Sequence, residues 1–134
     1  MKMDFNIPKK LRYTSKHEWI EIFDEKNCNV GITDYAQQMM KEIVFVELPD
    51  KGKKVKKMES IATVESVKSV SEIFTPLSGE VIDVNKELES EPELINKDPY
   101  GQGWIFKIKI DDKKEIDELL DSEKYKEHID RLSE

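Results

Sequence analysis

Apolar and polar residues alternate through much of the chain up to residue 110, and a period of two marks half-buried strands. The segments are Glu18–Phe23 (EWIEIF), Asn29–Thr33, Ile43–Leu48 (IVFVEL), Ser60–Val67 (SIATVESV), Ser69–Phe74, Gly79–Val84 (GEVIDV) and Trp104–Ile110 (WIFKIKI). In the last of these, Trp104, Phe106, Ile108 and Ile110 fall on one face, while Lys107 and Lys109 interrupt the other. Turn chemistry separates the segments at Pro49-Asp50-Lys51-Gly52, Pro76-Leu77-Ser78-Gly79 and Asp98-Pro99-Tyr100-Gly101. Short strands at such close spacing predict a small sandwich or barrel.

Elsewhere the period lengthens. Thr33 or Asp34 can cap a short helix over Tyr35–Met40, and Ser90, with Pro92 close behind, can open another turn through Ile95. From Asp112 onward, Ile116, Leu119, Leu120, Ile129 and Leu132 recur at helical spacing in a charged background, with Ser122 as a cap between two pieces. This predicts one or two amphipathic helices bracing the β-unit. The expected layout is a single domain over residues 1–134, with a β-rich unit about 12–110 and C-terminal helices about 112–132.

Composition narrows the function classes. The chain is 38% charged and 37% hydrophobic, which suits a modest core under a large wetted surface. Its net charge of −7 disfavours nucleic acid and anionic membrane, both bound through Lys and Arg. No apolar run has membrane-spanning length, and the opening MKMDFNIPKKLRYT lacks a signal-peptide core, so a cytoplasmic chain is expected. The single Cys28 can form neither an intrachain disulfide nor a thiolate metal site, and no adjacent His or cationic cluster marks it as a nucleophile. His17 and His128 share no ligand spacing. Catalytic and metal sites are therefore not expected: there is no Ser/His/Asp set, and the Gly-x-Gly at 101–103 lacks the longer phosphate fingerprint.

One short stretch, ESVKSVSE at 65–72, carries the chemical question. Two strand segments meet there with almost nothing between them, which puts Lys68 at the tip of a tight hairpin with its side-chain nitrogen in water. Val67 and Val70 are expected to be held on the sheet and to fix the tip, while Ser66 and Ser69 leave room around the amine. Spacing alone favours the plain reading, an exposed lysine in a polar turn.

The surrounding sequence changes that reading. VESVKSVSEIFTPLSGEVIDVN, preceded by EIVFVELPDKGKKV, resembles the H-protein family of the glycine cleavage system, within the lipoyl/biotinyl carrier superfamily. The resemblance extends through YTSKHEWIEI, VGITDYAQ, EPELINKDPYGQGWIFKIKI and LLDSEKYKEHI, in the family's order and over nearly the whole chain. It implies a mainly β fold with peripheral helices, a barrel-sandwich hybrid of two small antiparallel sheets with the lipoyl lysine at a hairpin tip. It also implies that Lys68 carries lipoic acid as an amide, and that Glu18 and Glu72 help to hold the loaded arm in a cleft.

By the same resemblance the chain is a non-catalytic carrier. Its implied partners are glycine decarboxylase (P-protein), the tetrahydrofolate-dependent aminomethyltransferase (T-protein), dihydrolipoamide dehydrogenase (L-protein) and a lipoate-attaching enzyme, with no nucleic acid or membrane partner and a monomeric state expected. The aminomethyl group would pass from the first enzyme to the second, and the third would reoxidise the dithiol. Two other functions stay open on sequence: a lipoyl or octanoyl relay in protein lipoylation, and an unmodified interaction module. The chain departs from the family at Lys41 and Met58, where Gly is usual. Both are turn positions where Gly would allow positive φ, and both are expected to lie clear of the lysine hairpin.

Overall fold

The computed structural model describes residues 4–132. Its strands are β1 (Arg12–Tyr13), β2 (Glu18–Phe23), β3 (Asn27–Ile32), β4 (Ile43–Glu47), β5 (Lys54–Val55), β6 (Ser60–Ser66), β7 (Val70–Phe74), β8 (Gly79–Val84) and β9 (Phe106–Ile110). Helices α1 (Asp34–Met40), α2 (Glu87–Ser90), α3 (Leu94–Lys97) and α4 (Ser122–Leu132) are joined by a 3-10 helix at Lys113–Glu118. The strands make one six-stranded sheet, in the order β1-β2-β3-β9-β8-β5, and one three-stranded sheet, β4-β6-β7. Every pairing is antiparallel. The expected pair of antiparallel sheets is present, and neither closes into a barrel.

The main core lies between the sheets. Ile20, Val30, Val81 and Ile108 of the larger sheet meet Ile43, Val46, Val64 and Ile73 of the smaller one. A second apolar cluster lies on the other side of β2, where Leu11, Tyr13 and Trp19 pack against Tyr125 and Ile129 of α4. The alternation of β2 explains both: Ile20 faces the main core, and its neighbour Trp19 faces the helix, each 1% exposed. Gly31 lies opposite Trp19, and a Cβ there would come within 2.7 Å of the indole ring. A larger residue at Gly31 would push the ring off the strand.

The local predictions hold in part. Thr33 caps α1 by accepting from the Ala36 N–H. The turn placed from Ser90 to Ile95 is instead split, because Ser90 ends α2 and α3 begins at Leu94. The cap before α4 is Asp121, whose carboxylate accepts from the Lys124 N–H at 2.8 Å, and Ser122 is already inside the helix. Leu132, expected on the packed face, is 52% exposed. The amphipathic tail does brace the β-unit, through Tyr125 and Ile129 and through mutual backbone bonds between Tyr13 and Leu120.

Candidate functional site

β6 and β7 are adjacent and joined by Val67, Lys68 and Ser69, so Lys68 stands at the tip of their hairpin and is exposed. Ser66 ties the turn. Its Oγ accepts from the N–H groups of Lys68 (3.2 Å) and Ser69 (3.0 Å), and its own N–H donates to the Ser69 carbonyl at 2.8 Å. A serine hydroxyl closing a short turn onto the next residues is an ordinary use of that side chain. Ser66 is therefore buried, and the valines are not the anchors that the sequence suggested. Val67 and Val70 are 67% and 63% exposed. The reason is register: Val70 pairs with Glu65, and both side chains project from the outer face of the sheet.

A second clamp comes from the α1–β4 connection. The Val67 N–H donates to the Glu42 carbonyl at 3.0 Å, and Lys68 Nζ donates to the Met39 carbonyl at 3.3 Å. Asn96 of α3 holds that connection in turn: its Nδ2 donates to the Lys41 carbonyl and to Gln37 Oε1, and its Oδ1 accepts from the Ile43 N–H. Lys41 itself bonds to Asn96 rather than to the hairpin, but it stands between Met39 and Glu42, whose carbonyls do accept from the hairpin. Lys41 and Met58 do sit at positive φ, 71° and 68°. That region strains any residue with a Cβ.

Glu18 and Glu72 occupy different environments. Glu18 shares the core face of β2 with Ile20 and is 0% exposed. Its Oε1 accepts from Thr14 Oγ1 at 2.5 Å and its Oε2 from the Phe74 N–H at 3.2 Å, so the carboxyl bridges the larger sheet to β7 of the smaller one. Burial pushes its pKa up from 4.5 to about 7, against the opposing pull of those two donors. Glu72 is exposed on β7, four residues beyond Lys68, and accepts from Ser60 Oγ. A cavity of about 260 Å³ opens beside Thr14, lined also by Tyr13, Ser15, Met58, Pro76 and Leu119. Sequence reasoning passed over Thr14, although a hydroxyl four residues before a core-facing carboxylate was a visible signal.

The remaining polar candidates are structural. His17 Nδ1 shares a hydrogen bond with the Tyr125 hydroxyl at 2.8 Å, which also meets Thr33 Oγ1 at 2.6 Å. Burial, with His128 adding to it, lowers the His17 pKa to about 4, so the ring is neutral at physiological pH. Cys28 is fully buried, and its thiol is pushed up to about 12 by that burial. Trp19 belongs to the second core cluster and Trp104 packs beside it. Among the described residues, no helix is long and apolar enough to cross a membrane.

Comparisons with known proteins place nearly the whole chain in a family. A family model described as glycine cleavage H-protein matches residues 11–132. A probable glycine cleavage system H protein of Aeropyrum pernix is 54% identical over 97% of this chain and 90% of its own length. The glycine cleavage system H protein of Thermotoga maritima is 48% identical over 89% and 95%. The crystal structure of a glycine cleavage system H protein from Mycobacterium marinum superposes with a TM-score of 0.79 at 35% identity, over 89% of this chain and 95% of that one. On sequence and on fold together, the chain belongs to the glycine cleavage H-protein family.

Proposed function

We propose that Lys68 is the lipoyl attachment site and that the chain shuttles an aminomethyl group from glycine decarboxylase to the tetrahydrofolate-dependent aminomethyltransferase, with reoxidation by dihydrolipoamide dehydrogenase. The observation that carries this reading is the position of Lys68, exposed on a turn locked from two sides within a chain of this family. A carrier lysine has to meet several enzymes in turn, and a rigid turn presents it to each in one geometry.

The residues present fit a covalently held lipoyl group. Among the described residues, Lys68 Nζ is engaged only by the Met39 carbonyl, so it is open to an attaching enzyme. Cys28, the one cysteine of the chain, is sealed in the core and offers no competing thiol. When bound, the lipoyl group supplies a two-electron disulfide–dithiol couple and a sulfur to carry the one-carbon unit. Glu72, exposed on the strand that leads away from Lys68, is suited to face a cationic amine, which a carboxylate stabilises. Glu18 would act from behind Thr14, by holding β2 to β7 and so shaping the 260 Å³ cavity beside it.

Intact-mass analysis of chain made in lipoate-replete cells tests the attachment. A lipoyl increment in the wild type that is absent from Lys68→Arg is the expected result. Arg keeps the charge but cannot form the amide, so an active, unmodified Lys68→Arg protein would sink the proposal. Glycine-dependent bicarbonate exchange with the decarboxylase then separates the shuttle from a lipoyl relay, which would be lipoylated without supporting exchange.

A further inference from the structure

We infer that the outer face of the three-stranded sheet, centred on Phe45, is the docking face for the enzyme that acylates Lys68, and that this enzyme meets it with an apolar seat and a basic rim. The inference rests on Lys68 being the lipoylated residue.

The face is built by register. Phe45 of β4 pairs with Glu65 of β6, which pairs with Val70 of β7, so the three side chains form one row on the solvent side. A bulge between Ile43 and Phe45 breaks the alternation of β4, so that Val44 and Phe45, consecutive residues, are both turned outward. Phe45 is 54% exposed and Val44 42%; with Val67 and Val70 they are four of the seven large hydrophobic residues that the described surface exposes. An apolar patch gathered around one amine, and made by a bulge that costs pairing, marks a contact surface rather than stray surface residues. Phe45 also walls an open groove of about 540 Å³ with Leu48, Pro49, Val84 and Lys86.

Charge identifies the kind of partner. The next row on the same face is Glu47, Thr63 and Glu72, and Glu42 lies beside Val67. Among the described residues, none of Glu42, Glu47, Glu65 and Glu72 has an ion-pair partner. Four unpaired carboxylates rimming an apolar patch complement Lys and Arg, and they repel a second copy of the same face. Reach identifies which enzyme. Acylation forms the amide bond between Nζ and the lipoyl carbonyl carbon, breaks the bond from that carbon to its adenylate or thioester activating group, which leaves with the bonding pair, and releases two protons from the ammonium nitrogen. That atom is only a side chain's length from the turn, so the acylating enzyme comes up against Val67 and Val70, and the row through Glu65 to Phe45 continues the same face. Enzymes that work on the sulfur end of a long arm have no such need of it.

The test is steady-state acylation of the full chain by a lipoate-attaching enzyme with ATP and lipoate. Phe45→Ser should raise the KM for the chain about tenfold with kcat little changed. Glu65→Lys should also raise KM and weaken its dependence on salt. Ile22→Ser, an exposed apolar residue of the other sheet, should change neither. Wild type left unmodified at Lys68 overturns the carrier reading itself. Wild type modified normally, with Phe45→Ser and Glu65→Lys at unchanged KM, overturns the docking face alone. A KM effect confined to glycine decarboxylase overturns the choice of partner.

Discussion

At the scale of single residues, five described non-glycine positions lie at positive φ, Lys41 and Met58 among them, and two titrations oppose each other. Lys41 lies at φ 71°, ψ −150°, a region that belongs almost wholly to glycine. Lys41→Gly should therefore raise stability by about 1 kcal/mol, read as a higher urea midpoint at unchanged m. Glu18 and His17 act against each other. The folded Glu18 pKa is raised, so its stabilising contribution is full below about pH 4.5 and is lost as pH climbs to about 7. The folded His17 pKa is lowered, so folding gains stability as pH rises from about 4 to 6.5. Between pH 4.5 and 6.5 the two slopes oppose and the wild type should be nearly flat. Glu18→Gln should unmask a rise with pH, and His17→Asn, which tolerates the His17 φ of 73°, a fall. Each is of order 2 kcal/mol across the window, measured as urea midpoints against pH.

At the scale of elements, α3 buries Leu94 and Ile95 in the core and reaches the hairpin through one polar side chain. Asn96 bonds three groups around the α1–β4 turn, and that turn carries the carbonyl that clamps Val67. Asn96→Ala should cost roughly 1–3 kcal/mol and should speed amide exchange at Val67 well before it speeds exchange in β9. Equal acceleration at both would mean global destabilisation and would reject the link. The longer strands were legible because their alternation is regular: β2 and β8 run from Glu18 to Phe23 and from Gly79 to Val84, as the pattern predicts. β1 and β5 are two residues long and carry no period to detect. The tip differs for another reason: the valines are expected to be held on the sheet, but the pairing of Glu65 with Val70 turns Val70 to the outer face, and register is not legible in composition. Glu18 was legible in principle, since alternation puts it on the face of Ile20.

At the scale of the whole molecule, the larger sheet has an apolar cluster on each side, and the proposed site lies on the smaller sheet. Stability and carrier function should therefore separate. Ile129 is 2% exposed in the cluster under α4, so Ile129→Ala should lose about 2–4 kcal/mol while leaving the KM for Lys68 acylation unchanged. A parallel rise in KM would show that the helix supports the hairpin after all. Glu18 joins the halves, because it stands on β2 of the larger sheet and its carboxyl accepts from Phe74 of β7 in the smaller one. In this respect the buried acid is a mechanical tie first, and any service to a bound arm passes through the shape it maintains.

The exposed tip has an electrophoretic consequence. Lys68 contributes to a chain of net charge −7, and turning its amine into an amide makes the protein one unit more acidic. Isoelectric focusing under native conditions should resolve modified from unmodified molecules as two sharp bands. Their ratio would then report, from a cell extract, how much of the chain carries the proposed modification.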